Sequence, residues 1–129
     1  MGVQDAVRAE AGAQEDTRVL TEAVRRIAEF WNLSNAELGG VLGLSAATVS
    51  RLRNGERTLE SGSKSFELAQ FLVRLFRGVD ALMGSDDEAA RSWLRSDNRF
   101  LESRPIDLIQ RIEGLTRTCH YVDTMRGPS

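Results

Sequence analysis

The sequence predicts an all-α protein, for three reasons. Its 129 residues include only 2 prolines and 6% aromatic residues, while Ala, Leu, Arg and Glu, which favour helices, are abundant. Apolar residues recur at spacings of three and four along most of the chain. No stretch alternates apolar and polar residues as a half-buried strand would. We therefore predict an N-terminal bundle of short helices, joined by a long spine helix to a small helical C-terminal subdomain.

The first predicted helix follows an N-terminal tail. Residues 1–16 contain few large apolar side chains and are expected to be flexible. The helix is expected to begin at Asp16 or Thr17, as its N-cap, and to run to about Trp31. Its apolar stripe consists of Leu20, Val24, Ile27 and Trp31.

Two short helices with clear start and stop signals come next. Ser34 and Glu37 have the spacing of a capping box, which predicts a second helix that ends at Gly43. Ser45 is the expected N-cap of a third helix, which ends at Asn54. A loop is expected to follow this helix.

A long helix is predicted over residues 63–83, with apolar residues on most of its circumference. Such a helix has to be covered on two sides, which makes it the spine between the two halves. Phe71, Leu75 and Leu82 lie on its second apolar stripe. They are expected to serve either in self-assembly or in the intramolecular core.

The C-terminal half is predicted to contain three further helices. Ser85 and Glu88 suggest a capping box for the first of them. After a loop at 96–104, Pro105 suits the first position of a second helix, which is expected to continue to Gly114. The last helix, at about 115–126, is predicted to have Leu115, Cys119, Val122 and Met125 on one apolar face, with Cys119 in the core.

Residues 35–54 meet the steric demands of a helix-turn-helix. Gly39 lies where the two helices cross most closely and where only glycine or alanine is expected to fit. Gly43 lies in the turn, and Val49 and Leu52 follow at the spacing of inward-facing anchors. The third helix is then the candidate recognition helix.

Charge supports a DNA contact at that helix. The chain has a net charge of −2, yet residues 46–58 contain three arginines and one glutamate. A single basic window on an acidic protein suits a small, targeted phosphate contact. The alternative is a helical hairpin with this shape that does not bind DNA. The expected base contacts are Ser45, Ala46, Ala47, Ser50, Arg51 and Asn54, and the expected phosphate contacts are Arg53 and Arg57.

The sequence contains no pattern typical of an enzyme. It has no metal-ligand spacing, phosphate loop or dinucleotide signature. Cys119 and His120 are neighbours on a helix and project about 100° apart, so they cannot form a nucleophile–base pair. We expect no catalytic residue, metal or cofactor. With one cysteine and no apolar run of roughly 18 residues, a cytoplasmic protein is expected.

Two stretches of the sequence resemble known families. Residues 34–57 have the sequence SNAELGGVLGLSAATVSRLRNGER. This stretch resembles the helix-turn-helix of the Xre class of prokaryotic regulators. Residues 93–114 have the sequence WLRSDNRFLESRPIDLIQRIEG. This stretch resembles the toxin-binding domain of Xre/MbcA/ParS-type antitoxins. Many relatives have a glycine in the loop before the proline, whereas residues 102–104 are Glu-Ser-Arg, a form similar to the mycobacterial MbcA branch. The matching residues are Trp93, Leu94, Asn98, Phe100, Leu101, Pro105, Asp107, Leu108 and Gly114.

The resemblance implies an antitoxin whose cognate toxin has a RES domain and consumes NAD. It also implies that the C-terminal end blocks the active site of the toxin, and that the helix-turn-helix binds operator DNA at the promoter of its own operon. A homodimer, or a hetero-oligomer with the toxin, is expected. The candidate toxin contacts are Tyr121, Met125, Arg126, Gly127, Pro128 and Ser129.

Two functions other than that of an antitoxin are also compatible with the sequence. One alternative is a stand-alone helix-turn-helix repressor whose C-terminal region only dimerises it. The other is a protein-interaction module with a purely structural helix-turn-helix. The expected segments are a tail (1–16), an Xre-like helix-turn-helix region (17–60), a connecting helix (61–84) and a toxin-binding C-terminal domain (85–129).

Overall fold

The computed structural model describes residues 2–127, and within that range the chain forms seven helices. The all-α prediction is confirmed. Apart from helices, the described residues contain one isolated antiparallel bridge, between Asn98 and Ser103. The helices are α1 (Val3–Phe30), α2 (Asn35–Leu42), α3 (Ala46–Arg53), α4 (Lys64–Leu82), α5 (Asp87–Arg95), α6 (Pro105–Leu108) and α7 (Ile112–Arg126).

Helix α1 begins far earlier than predicted. The expected start at Asp16 or Thr17 is wrong, because the helix is continuous from Val3. Almost all of the side chains described in residues 3–16 are exposed, so this part extends beyond the core. Once the later turns of a helix are packed, each added residue costs little, and the many alanines in this segment favour propagation.

The predicted ends of α2 and α3 are confirmed. Ser34 Oγ accepts a hydrogen bond from Glu37 N at 3.0 Å, and Glu37 Oε1 accepts one from Ser34 N at 2.9 Å. Gly43 ends α2 with a φ of 69°, a left-handed conformation that suits glycine. Ser45 Oγ accepts from Thr48 N at 3.1 Å and so caps α3.

Helix α4 is the predicted spine and packs against α1, α2 and α7. Its crossing with α7 is close, since a Cβ added at Gly78 would lie 2.5 Å from Val122 Cγ1. Leu75 is 1% exposed and belongs to the core, so its suggested use in assembly is wrong. Phe71 is half-buried against the core, and Leu82 is 38% exposed.

The start of α5 differs from the prediction. Asp86, and not Ser85, is the N-cap, and its Oδ1 accepts from Ala89 N at 3.0 Å. Gly84 and Ser85 both have positive φ, so the chain is still turning there and α5 begins one residue later than expected. The Ser85 hydroxyl donates instead to Asp80.

Residues 105–114 do not form one continuous helix as expected. Pro105 starts α6 as predicted, but α6 has only 4 residues. Gly114 lies in the first turn of α7 and does not end a helix. A Cβ there would lie 2.0 Å from the carbonyl oxygen of Leu108, so the absent side chain lets α7 pack directly on the backbone of α6.

One continuous hydrophobic core joins the two halves of the chain. It contains Trp31 and Leu52 from the N-terminal half, and Leu94, Ile106 and Leu115 from the C-terminal half. All of these are nearly inaccessible to solvent. The orientation of the C-terminal helices is therefore determined by the same core as that of α2 and α3. None of the helices described is long and apolar enough to cross a membrane.

Candidate functional site

Helices α2 and α3 form the predicted helix-turn-helix. Val49 is 0% exposed and Leu52 is 1% exposed, so both are the predicted inward anchors. The turn is tighter than expected, because a Cβ at Gly39 would lie 2.5 Å from the carbonyl oxygen of Leu44. Alanine, which the prediction allowed, does not fit there unless the backbone shifts.

The opposite face of α3 is open to solvent. Its predicted base-contacting residues are exposed except for Ser50, which is half-buried. Arg51 Nη2 donates to Thr48 Oγ1 at 3.3 Å, a contact within one helical face that leaves the guanidinium at the surface. The exposed members of the predicted set are Ser45, Ala46, Ala47, Arg51 and Asn54, together with Arg57 in the loop that follows.

Two arginines hold α3 from its inner side. Arg53 Nη1 donates to the carbonyl oxygen of Leu33 at 2.7 Å and to Asn35 Oδ1 at 3.3 Å. Arg25 Nε donates to the carbonyl oxygen of Leu52 at 2.9 Å. Arg53, expected to contact phosphate, thus bridges α3 to the start of α2. The sequence pattern does not separate it from Arg51, because both count equally as local positive charge.

The C-terminal half is tied to the helix-turn-helix through α5. Arg95 Nη1 donates to Glu37 Oε2 at 2.9 Å and Nη2 to Glu37 Oε1 at 3.1 Å, and Nη2 also donates to the carbonyl oxygen of Asn32 at 3.0 Å. The hydrogen bonds from Arg95 to the carboxylate, together with those from Ser34, lower the pKa of Glu37 to about 2 against an opposing effect of burial. Sequence reasoning missed Arg95, since 58 residues separate it from Glu37.

The loop between α5 and α6 is ordered by Asn98. Asn98 Oδ1 accepts from the backbone N–H groups of Phe100 at 2.9 Å and Leu101 at 3.0 Å. Glu102 has a φ of 60°, a left-handed conformation that glycine adopts most easily. Glu102 belongs to the tripeptide at which the sequence departs from many relatives.

The candidate toxin-contacting residues lie on the last turns of α7. Tyr121 is half-buried and stacks on Phe100, with ring centroids 6.2 Å apart. Met125, a candidate toxin contact, is 54% exposed. Arg126 is exposed, and Gly127 follows with a φ of 76°. Pro128 and Ser129 lie outside the described residues.

Comparison with protein families agrees with this geometry. Residues 10–74, half of the chain, match the antitoxin Xre-like helix-turn-helix domain. The chain belongs to this antitoxin family. Residues 78–128 of the antitoxin match the antitoxin Xre/MbcA/ParS C-terminal toxin-binding domain. Among curated proteins, none gives a significant match to the antitoxin.

The two matches confirm the predicted resemblance and its order along the chain. The antitoxin has a DNA-binding helix-turn-helix in its first half and a toxin-binding domain in its second half. The two families consist of antitoxins and regulators, which typically have no enzyme activity.

Cys119 and His120, the neighbours considered as a nucleophile–base pair, lie in different environments on α7 of the antitoxin. Cys119 is 1% exposed, and its thiol donates to the carbonyl oxygen of Phe71 at 3.4 Å. Burial raises the pKa of this thiol to about 11. His120 is exposed on the outside of α7. The predicted core position of Cys119 is confirmed.

Proposed function

We propose that the antitoxin neutralises a RES-domain toxin, an enzyme that consumes NAD, by occupying its active site with the segment at the end of α7. The observation that carries this proposal is the contrast along α7. Cys119 and Val122 are buried against α4, whereas Met125 and Arg126 are exposed. The last turn of α7 is therefore accessible to a partner without unfolding the core.

The chemistry of this segment suits a cleft that binds a phosphorylated substrate. Arg126 can pair with carboxylates or compete for an anion site. Gly127 ends the helix with a φ of 76°, a left-handed conformation. A short segment of this kind can enter a cleft that a whole helix cannot.

We also propose that α3 binds operator DNA and represses the antitoxin's own operon. Its exposed face offers small side chains at the N-terminal end, where close approach to bases is needed, and Arg51 and Asn54 further along. Arg pairs well with guanine and Asn with adenine. Helix-turn-helix proteins usually bind two half-sites as dimers, so we expect a homodimer, or a hetero-oligomer with the toxin, in the cytoplasm.

The experiment is co-expression with the protein encoded by the neighbouring open reading frame. Wild-type antitoxin should rescue growth and co-purify with that protein. Deletion of residues 126–129 should abolish the rescue, whereas deletion of residues 2–9, from the exposed start of α1, should not. Retained rescue without residues 126–129 would exclude active-site blocking. A neighbour that is harmless alone and does not co-purify would exclude the antitoxin function itself.

A gel-shift assay with promoter DNA tests the second proposal. Arg51→Ala should weaken binding to the operator about 5- to 150-fold, the range expected for the loss of one good base contact, and leave binding to unrelated DNA nearly unchanged. Arg111→Ala, at an exposed arginine in the C-terminal half, is the matched control. Equal operator binding by wild type and Arg51→Ala would refute the assignment of Arg51.

The alternative of a stand-alone repressor requires the C-terminal helices to be used only for dimerisation. The apolar face of α7 is already occupied by α4 of the same chain, with Val122 in contact at Gly78. This arrangement favours toxin binding by the C-terminal half over dimerisation through that face.

A further inference from the structure

We infer that Phe100 and Tyr121 form an aromatic docking surface for the toxin, separate from the segment that enters the active site. The inference rests on the proposed function and deepens it. It assigns the affinity of the complex mainly to this surface, and the inhibition mainly to residues after Met125. The partner surface on the toxin should be an apolar pocket bordered by charged groups of both signs.

Phe100 is unusual because the fold presents it to solvent. It is 72% exposed, whereas its neighbour Leu101 is 3% exposed and anchors the loop in the core. Burial of a phenylalanine side chain in an interface removes a large apolar area from water and so stabilises an association. A large aromatic ring held in water is therefore available to stabilise a complex.

The loop that carries Phe100 is held in place by several hydrogen bonds. Besides the two contacts of the Asn98 side chain, Asn98 N donates to the carbonyl oxygen of Ser103 at 3.0 Å, and Glu102 N donates to that of Asn98 at 2.8 Å. Arg117 Nη2 on α7 donates to the carbonyl oxygen of Phe100 at 3.4 Å. A loop ordered in advance loses little conformational entropy on binding, which favours affinity.

Tyr121 extends the surface from the loop onto α7. The two rings are inclined by 29° and stack with their centroids 6.2 Å apart. Met125 lies one turn after Tyr121 on the same side of the helix and is 54% exposed. Aromatic residues, methionine and arginine are enriched in protein–protein interfaces. The surface therefore has the composition of an interface centre.

Charge specifies the kind of partner. Among the described residues, no ion pair involves Arg99 or Arg117, which adjoin Phe100 in sequence and in space respectively. By contrast, Arg104 in the same region is already paired with Asp107 at 2.9 Å. Asp97 and Glu102 in the same loop are also exposed and take part in none of the ion pairs of the described residues, so groups of both charges surround the aromatic pair and complement an apolar pocket with carboxylates and cations at its rim.

Continuity with the toxin-binding domain identifies the occupant. Both aromatic residues lie within residues 78–128, the match to the toxin-binding family. Met125 joins the surface directly to the segment proposed to block the active site. A bound toxin can therefore cover the aromatic surface and the blocking segment at once. A second antitoxin molecule has no active site for the blocking segment to enter, so the same continuity does not favour it.

The test is calorimetric titration of the full-length antitoxin with the purified protein encoded by the neighbouring open reading frame. Phe100→Ala should weaken binding about 30-fold or more, the loss expected at an interface hot spot. Ile112→Ala is the matched control, because Ile112 is 64% exposed and, nine residues before Tyr121, faces the opposite side of α7. It should change affinity by less than about 3-fold. Circular dichroism should show unchanged folding for both variants.

The truncated antitoxin separates affinity from inhibition. Without residues 126–129 it should still bind within about 10-fold of wild type while losing inhibition. Equal affinities for Phe100→Ala, Ile112→Ala and wild type would overturn the inference and leave the proposed function standing. No binding by wild type would overturn both. If Phe100→Ala altered only the sedimentation of the free antitoxin, the surface would belong to self-association and the inference would be wrong.

Discussion

Replacement of Arg95 by alanine should uncouple the toxin-binding half from the helix-turn-helix and destabilise the protein. Arg95 binds both carboxylate oxygens of Glu37, which also completes the capping box of α2. The pKa of Glu37 falls from 4.5 to about 2. At about 1.4 kcal/mol per pKa unit, the upper bound is roughly 3.5 kcal/mol.

Solvent reduces this bound. The Arg95 side chain is 35% exposed and that of Glu37 is 22% exposed, so water and salt screen part of the attraction. We expect a loss of about 1–2 kcal/mol at neutral pH for Arg95→Ala. The measurement is urea-induced unfolding followed by circular dichroism.

The pH dependence identifies the ion pair as the cause. Because the pKa of Glu37 is lower in the folded state, its stabilisation is complete above pH 4.5 and is lost as the pH falls towards about 2. The difference in free energy of unfolding between wild type and Arg95→Ala should shrink by roughly half between about pH 5 and pH 3. A difference that stays constant over this range would contradict the ion-pair explanation.

Glu37→Gln is the matched control for the capping box. A glutamine can still accept the hydrogen bond from Ser34 N, so this variant removes only the charge. Its loss of stability should be similar to that of Arg95→Ala, and the double variant should lose much less than the sum. Additive losses, or an Arg95→Ala protein as stable as wild type at neutral pH, would refute the coupling between the two halves.

Two further predictions concern the core of the C-terminal half. Gly114→Ala should lower the free energy of unfolding measured in urea by about 1–3 kcal/mol, because its Cβ would meet the Leu108 carbonyl oxygen at 2.0 Å. Gly12→Ala, in open space on α1, should be neutral or stabilising by up to about 1 kcal/mol. Equal effects of the two substitutions would refute the steric explanation. Cys119 should react with a thiol reagent at about pH 8 only as fast as the protein unfolds, because its thiol has a pKa of about 11 and the residue is 1% exposed. Fast labelling of the native protein would show that the thiol is accessible and contradict this prediction.

Much of the fold could be predicted because its signals are local. The capping box at Ser34, the left-handed Gly43 and the cap at Ser45 each depend on residues within one helical turn. Pro105 at the start of α6 is of the same kind. The predictions that failed were those in which a local pattern competed with packing. Ser85 matched a capping box, but the turn at Gly84 and Ser85 continued past it and made Asp86 the cap.

The candidate site was predictable to different extents in its two halves. The exposed face of α3 follows from the helical repeat once Val49 and Leu52 are placed inside. The aromatic surface of the C-terminal half was not predicted, although Phe100 belonged to the recognised motif. Its exposure depends on how the loop packs against α7, and no spacing in the sequence shows which of two adjacent apolar residues becomes the anchor.

By itself the sequence determined the helical class, the helix-turn-helix and the family. These depend on the spacing of apolar residues along each helix and on glycines where two backbones pass closely, and both are visible in the sequence. Only the tertiary structure decided what the long side chains do. Arg53 turned inwards to Leu33, Arg95 reached Glu37 across 58 residues, and Phe100 remained in solvent. A flexible side chain binds whichever groups the folded backbone brings within its reach. Which groups these are is determined only when the core has formed.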